Sequence, residues 1–468
     1  MGRVLSFILF FGLLIQPLSA QRDSLVVEAG SLALASSGGY APFLLHSNKN
    51  GTISHLPASL NLFASLKKPY KREYTAFDYA FEVAPILQQS PNGTQLFFEN
   101  AYVAARFHAF ELTAGIKPYI VGNHDKELSG GGILFSQNAR PMPRMSLLMP
   151  EYTKVPFTGS FIEVKGGMTY AFFNDNIFIT NSKMHHKFAG MRLGGDVIPV
   201  NLSYELQHIA QWGGQHPVFG DLGNGFDDFM RIFFARSGGD IVTEQINAQG
   251  NHIGSQQIGL ALKLNQGKGL SLYWQSIIED GSIKLPWRMI NRVDGLFGVS
   301  FDLGKPGFIQ KLLYEYLETS DQSGPIHDLD GILLGGRDNY FNNGIYTNGW
   351  TYFGRTIGTP FITSPVYNDD QEIVYILNNR TKTHYFAMFG AVADVNLRIS
   401  SAFSKNFGIY GRYNYTENFS LALQADKDIK ALWGTNVMLS FGMDRGSQFG
   451  NNFAVMLGVK KNFDVLSW

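Results

Sequence analysis

The stretch Asn452-Phe453-Ala454-Val455-Met456-Leu457-Gly458-Val459-Lys460-Lys461-Asn462-Phe463 decides how this chain is read. Phe453, Val455, Leu457, Val459, Lys461 and Phe463 occupy one set of alternate positions, and Asn452, Ala454, Met456, Gly458, Lys460 and Asn462 the other. Successive side chains of a strand point to opposite faces, so this run separates two environments with a period of two. The pattern recurs from Tyr74 onward, in runs of about ten residues divided by Gly, Asn and Asp turns. Thr75, Phe77, Tyr79, Phe81 and Val83 alternate with Ala76, Asp78, Ala80 and Glu82. Residues 96–107 and 110–116 make a hairpin pair, 258–264 turns through Gln266-Gly267-Lys268-Gly269 into 270–278, and 312–319 and a dense set over 392–463 continue the series.

Composition narrows the environments. Lys and Arg number 38 against 38 Asp and Glu, a balance that offers no electrostatic footprint for nucleic acid. The chain has no cysteine, which excludes disulfides, thiolate metal sites and cysteine nucleophiles together. Charged residues make up 16% of the chain, beside 14% aromatics and 51 glycines. A soluble domain averages about a quarter charged, so the bias favours strands facing a non-aqueous exterior. Residues 1–20 read as a removed signal peptide: Arg3, an apolar stretch over 4–15, and Leu18-Ser19-Ala20 before Gln21. Twelve residues of helix cover about 18 Å, short of a hydrocarbon core of about 30 Å. Strands behind an export signal then predict an all-β fold, a large antiparallel transmembrane β-barrel of a Gram-negative outer membrane. At about 25 residues per strand and connection it would have about 16–18 strands.

Residues 21–71 are kept apart as an N-terminal segment of strand, short helix or small plug, with the barrel assigned to 72–468. Gly38-Gly39, Pro42 and Pro57 break the first pattern, and 58–68 fits a helix begun by Pro57 as well as an alternating strand through Leu60, Leu62, Ala64 and Leu66. The long intervals 118–159, 211–256 and 320–384 are expected outside or folded into the lumen, since periplasmic turns are short and external loops long. Phe463 resembles the terminal aromatic that directs barrel assembly in Gram-negative envelopes. Asp464 to Trp468 extend past it, which implies either a register break or Trp468 as an interfacial anchor.

Two of those intervals carry distinctive blocks. One runs from Gly122-Asn123-His124-Asp125 through Gly130-Gly131-Gly132 to Arg140-Pro141-Met142-Pro143-Arg144, and the other from Gly335-Gly336-Arg337-Asp338-Asn339-Tyr340 through Trp350 to Pro360-Phe361. Together with Gln211-Trp212-Gly213-Gly214, 274–281 and 314–326, they resemble the Wzi-like capsule-assembly proteins of outer membranes, in the version found in the Bacteroidetes lineage. The resemblance covers essentially all of the mature chain. It implies an eighteen-stranded barrel acting as a surface lectin for capsular polysaccharide, without a catalytic role or cofactor. Outer-membrane lipid and the capsule export machinery are the further partners it implies. The helical plug of enterobacterial relatives is not carried over to this Gly- and Pro-broken N-terminus.

The residue chemistry is compatible with a sugar reader. Aromatic faces cover the apolar side of a saccharide ring, and amide, carboxylate or guanidinium groups pair with its hydroxyls. Arg337, Asp338, Asn339, Tyr340, Asn342, Tyr346, Trp350 and Arg355 are the candidate polysaccharide-binding residues, Arg337 and Arg355 also suiting sugar carboxylates. The competing reading makes Asn-Gly and Asp-Asn units turn chemistry and Arg337–Asp338 an ion pair that stiffens a loop. No metal or catalytic residue is assigned. His185 and His186 would point to opposite faces of a strand, and Ser129 with His124 and Asp125 lacks a nucleophile elbow. A diffusion channel and a barrel-embedded hydrolase are the alternative functions.

Overall fold

In the computed structural model the run at 452–463 spans a barrel wall. Phe453, Val455, Leu457, Val459 and Phe463 are exposed on its outside, whereas Asn452, Ala454 and Met456 are buried within. The structure describes residues 24–71, 75–238, 248–279, 293–325, 327–329, 332–369 and 374–467; the expected signal peptide, Tyr74 and Trp468 lie outside them.

Eighteen strands of the described residues form one antiparallel sheet. The first nine are β1 (Ser24–Ser36), β2 (Ala58–Lys68), β3 (Phe77–Ser90), β4 (Gly93–Phe107), β5 (Phe110–Ile116), β6 (Pro143–Lys154), β7 (Ile162–Phe172), β8 (Lys183–Leu193) and β9 (Val200–Trp212). The others are β10 (Asn251–Lys263), β11 (Gly269–Gln275), β12 (Gly295–Asp302), β13 (Lys311–Glu318), β14 (Thr381–Val392), β15 (Val395–Ile409), β16 (Arg412–Ile429), β17 (Thr435–Gly446) and β18 (Asn452–Ser467). Ile278–Glu279 prolongs β11 along β10. Each strand pairs with the next, and β1 pairs with β18 from Ser24↔Ser467 to Ser36↔Ala454. Closure leaves no free edge, so the backbone amides of the spanning strands are satisfied without water.

Two expectations change and one open choice is settled. The barrel begins at β1, not at residue 72, because the N-terminal segment contributes two strands. Residues 58–68 are strand: Leu60, Leu62 and Leu66 face out while Ser59, Asn61 and Ser65 face in, a division that a helix cannot make. The intervals expected to be loops also hold strand β6 and a helix, α2 (Phe226–Phe233); a single helical turn, α1 (Phe43–His46), lies in the N-terminal segment. The last strand runs on past Phe463 to Ser467, with a register shift opposite Leu25 and Val26.

The two ends differ. At one end, connections such as 108–109, 194–199, 264–268 and 393–394 are tight turns, and Ser24 and Ser467 are found there. At the other lie 37–57, 117–142, 213–250 and 319–380. Barrel proteins keep short turns in the periplasm, so the long connections mark the external end. Between the ends runs an outward apolar band, including Leu62, Val83, Val103, Leu147, Leu202, Ile258, Val299, Phe386, Leu423 and Leu439, all exposed. Such a surface is stable only against lipid, and each fixed charge placed at its midplane costs about 2–4 kcal/mol.

Among the described residues the lumen is packed with side chains. Phe43, Leu128, Ile133, Leu134, Phe135, Phe341, Trp350, Tyr352, Ile357 and Phe361 from the long connections pack with Met184, Phe188, Ile209, Ile253, Leu313 and Leu317 from the wall. The interior cluster is therefore made from the barrel's own connections and wall. Irregular backbone at membrane depth is tolerated where protein buries it.

Candidate functional site

Three connections build the external mouth. The first, 117–142, hangs from buried Glu315 on β13, whose carboxylate accepts from Ser129 Oγ (2.6 Å), Tyr273 Oη (2.6 Å) and the Gly130 amide (2.8 Å). It then descends the lumen. Lys311 Nζ meets Asp125 at 2.8 Å and Glu127 at 2.9 Å, and Arg398 donates to the Glu127 carbonyl (3.1 Å). Lys311 and Arg398 lie at the short-turn ends of β13 and β15, so this connection crosses most of the barrel. A cavity of about 310 Å³ remains beside it, lined by Asn48, Lys49, Glu99, Asp125 and Arg398. Burial, with Arg398 nearby, lowers Lys49 to about 8.

The second and third connections are stapled by Arg355. Its guanidinium is buried and donates to the carbonyls of Ile53 (2.7 Å) and His46 (3.3 Å), tying 319–380 to 37–57. Arg355 is committed to carbonyls inside the plug and presents nothing to the exterior. Tyr340, Asn342, Tyr346 and Trp350 are buried as well. Asn342 exchanges hydrogen bonds with Ile376 at 2.9 and 3.0 Å, and Tyr346 packs with Ile179 and Leu222. The Asn348-Gly349 turn sets this frame: Gly349 has φ +57°, and a Cβ there would lie 1.9 Å from the Phe341 carbonyl.

The remaining candidates stand at the rim. Asp338 accepts from Ser323 Oγ at 2.5 Å, and Asn339 Oδ1 accepts from Asn379 at 2.6 Å and Asn342 at 3.1 Å. Arg337 is exposed, and no ion pair joins it to Asp338 among the described residues. Its guanidinium lies 5.3 Å from the ring centre of Tyr410, with Arg380 4.9 Å from the same ring. Arg380 is held by the Ser320 carbonyl at 2.8 and 3.0 Å, whereas Arg337 is exposed.

A second feature escaped the sequence reading. A cleft of about 140 Å³ opens between β3, β4 and the plug, lined by Gln88, Ser90, Asn92, Gln95, Arg140 and Phe353, among others. Arg140 sits 3.8 Å from the Phe97 ring and 4.9 Å from that of Phe353, and donates to Gln95 Oε1 at 2.8 Å. Burial, reinforced by Arg355, pulls Arg140 down to about 10, so it stays charged at neutral pH. Phe353 is 43% exposed, an apolar ring beside amides and a guanidinium. That combination suits a polyhydroxylated ring with one apolar face. In the sequence Arg140 lay within a distinctive block, but its partners are contributed by β4 and by a connection over 200 residues away, and no local pattern joins them.

The serine and histidine of 122–144 do not form a catalytic pair. Ser129 is bound to Glu315, while His124 Nδ1 lies 3.2 Å from the Gln275 amide. His185 and His186 do point to opposite faces: His186 contacts Tyr119 and Phe135 inside, and His185 contacts Phe229 and Phe233 of α2 outside.

Residues 66–363 match the family described as capsule assembly protein Wzi. The chain belongs to the Wzi family. Among solved structures, Escherichia coli Wzi is similar over 95% of this chain and 85% of its own, at 14% identity and a TM-score of 0.59. That protein is described as an outer-membrane protein involved in group 1 capsule assembly and a carbohydrate-binding β-barrel. Pseudomonas aeruginosa OccK2 aligns over 95% of this chain and 98% of its own, with 10% identity and a TM-score of 0.49. OprD from the same organism aligns over 95% and 96%, with 10% identity and a TM-score of 0.45. No curated protein matches the chain. This Wzi-family protein is thus an integral outer-membrane barrel, closed by its own loops and polar at its external mouth.

Proposed function

We propose that this protein is a non-catalytic lectin that helps assemble or anchor capsular polysaccharide at the cell surface. The observation that carries the reading is the filled lumen beneath a mouth that displays guanidinium groups on aromatic rings. A barrel packed by its own connections offers a surface rather than a passage, and the surface at the external end has saccharide-reading chemistry. Family membership supports the same role. In this reading Arg337, Asp338 and Asn339 contact the polymer at the rim, and Phe353 with Arg140 receives a sugar ring in the cleft. Tyr340, Asn342, Tyr346, Trp350 and Arg355 set the loop frame beneath them.

The test is glycan-array binding by refolded barrel, paired with capsule retention by cells carrying the same variants. Arg337→Ala and Phe353→Ala should each reduce glycan binding at least several-fold while the barrel remains folded. Wild-type protein that binds no surface polysaccharide, or cells that keep their full capsule without it, would overturn the reading. Planar-bilayer recording separates the channel alternative, since a filled lumen predicts no steady conductance.

A further inference from the structure

Strands β8 to β10 do not carry the lipid-facing band up to the external end of the wall. On β9 the outward positions Val200, Leu202, Tyr204 and Leu206 are exposed, and the next three, His208, Ala210 and Trp212, are buried. Their partners share the outward face: Lys187 lies opposite His208, His185 opposite Ala210, and Ala210 opposite His252. Imidazoles and an ammonium on the outside of a barrel are poorly solvated by lipid. Here they are covered.

The cover is α2 with its flanking chain. Phe229 and Phe233 lie 5.4 and 5.2 Å from the His185 ring, and Ile232 packs on Ala210 and Trp212. Lys187 Nζ donates to the Phe233 carbonyl, placing a cation at the C-terminal end of the helix where the dipole favours it. Lys183 Nζ donates to Asn224 at 2.7 Å, and His252 is 2.7 Å from the Gln249 carbonyl. Within the 213–250 connection, α2 therefore lies against the outside of the wall. Along the flank of α2, Phe226 (75% exposed), Met230 and the C-capping Phe234 follow at a spacing of four residues, which aligns them along one stripe beside the covered face, with Asp227 and Arg231 on the side turned away from the wall.

We propose that α2 is a lipid anchor in the external leaflet, with Phe226, Met230 and Phe234 inserted among acyl chains. The occupant is argued from continuity. The stripe extends the band of Leu206, Tyr204 and Ile258 over a patch where the strands themselves are polar, so the helix replaces the wall as the lipid-contacting surface. The proposal rests on the membrane-spanning barrel and is independent of glycan binding.

Because the chain has no cysteine, single-cysteine variants report one position at a time. Full-length Phe226→Cys and Phe234→Cys, each carrying a nitroxide, would be refolded into phosphatidylcholine–phosphatidylglycerol vesicles. Leu206→Cys serves as the band reference and Arg337→Cys as the aqueous reference. The α2 labels should collide with dissolved oxygen several-fold more than with a water-soluble nickel chelate, resembling Leu206→Cys. Chelate accessibility equal to that of Arg337→Cys would overturn the proposal. So would strong dipolar broadening of the α2 labels alone, which would identify a second copy as the occupant.

Discussion

The connections 117–142 and 213–250 leave the same end of the barrel, yet Leu128 to Phe135 of the first pack in the lumen and α2 of the second lies against the outside. Both bury aromatic and aliphatic side chains, so hydrophobicity does not choose between the destinations. Polar anchors do. The first finds Glu315 pointing inward from β13, with Lys311 and Arg398 farther down. The second finds Lys183, Lys187 and His252 pointing outward from β8 and β10. Buried polar groups must be satisfied, so a wall that offers its partners on one face directs the loop to that face.

The comparison can be broken from either side. The largest effect is expected inside: Trp350→Ala should empty a fully buried site and cost about 3–5 kcal/mol, read as a lower urea midpoint of the refolded barrel. An unchanged midpoint would mean that the plug adds nothing to the barrel. Next is the lipid face, where Leu439→Arg should cost about 2–4 kcal/mol if β17 crosses hydrocarbon, and far less if it faces water.

Acid should then act on the inner region through the histidines of its connections. Burial holds His55 and His124 at about 4 and His46 well below its ordinary value, with Arg355 adding repulsion at His46 and His55. The unfolded chain takes up these protons near pH ~6.5 and the folded one only near ~4, so stability is lost as pH falls through that window. Protection against hydrogen exchange, corrected for the slower intrinsic exchange at low pH, should fall in 37–57 and 117–142 at pH 5 relative to pH 7.5, and His55→Gln should flatten part of the trend. On the outer side, Lys187→Met removes the charge at the end of α2 and should cost about 1 kcal/mol, seen as faster exchange in 226–233 with the lumen segments unaffected. The smallest effect belongs to Arg337→Ala: stability within about 0.5 kcal/mol of wild type, with the change confined to glycan binding.

Much of the wall was legible in the sequence. The Phe453-to-Phe463 alternation, the 266–269 turn and the dense strands after Val392 correspond to real pairings, because one face meeting lipid and the other the interior imposes a period of two. The helix in 213–250 left a signal that was not read. Phe226, Phe229, Met230, Phe233 and Phe234 recur at helical spacing between glycine-rich flanks. The candidate site was less legible. A Tyr or Trp in a Gly-rich connection is equally suited to stacking on a sugar and to filling a core, and the same sequence supports both.

By itself, then, the sequence determined that the chain would cross lipid as paired strands, since a two-residue period is a local property of each strand. Tertiary structure alone decided that Trp350 and Arg355 would be interior, that Arg140 would meet Phe97 and Phe353, and that α2 would lie outside the wall. Those outcomes depend on which distant residue supplies a matching donor, acceptor or cavity, and that is settled only when the barrel closes and brings its connections to one end.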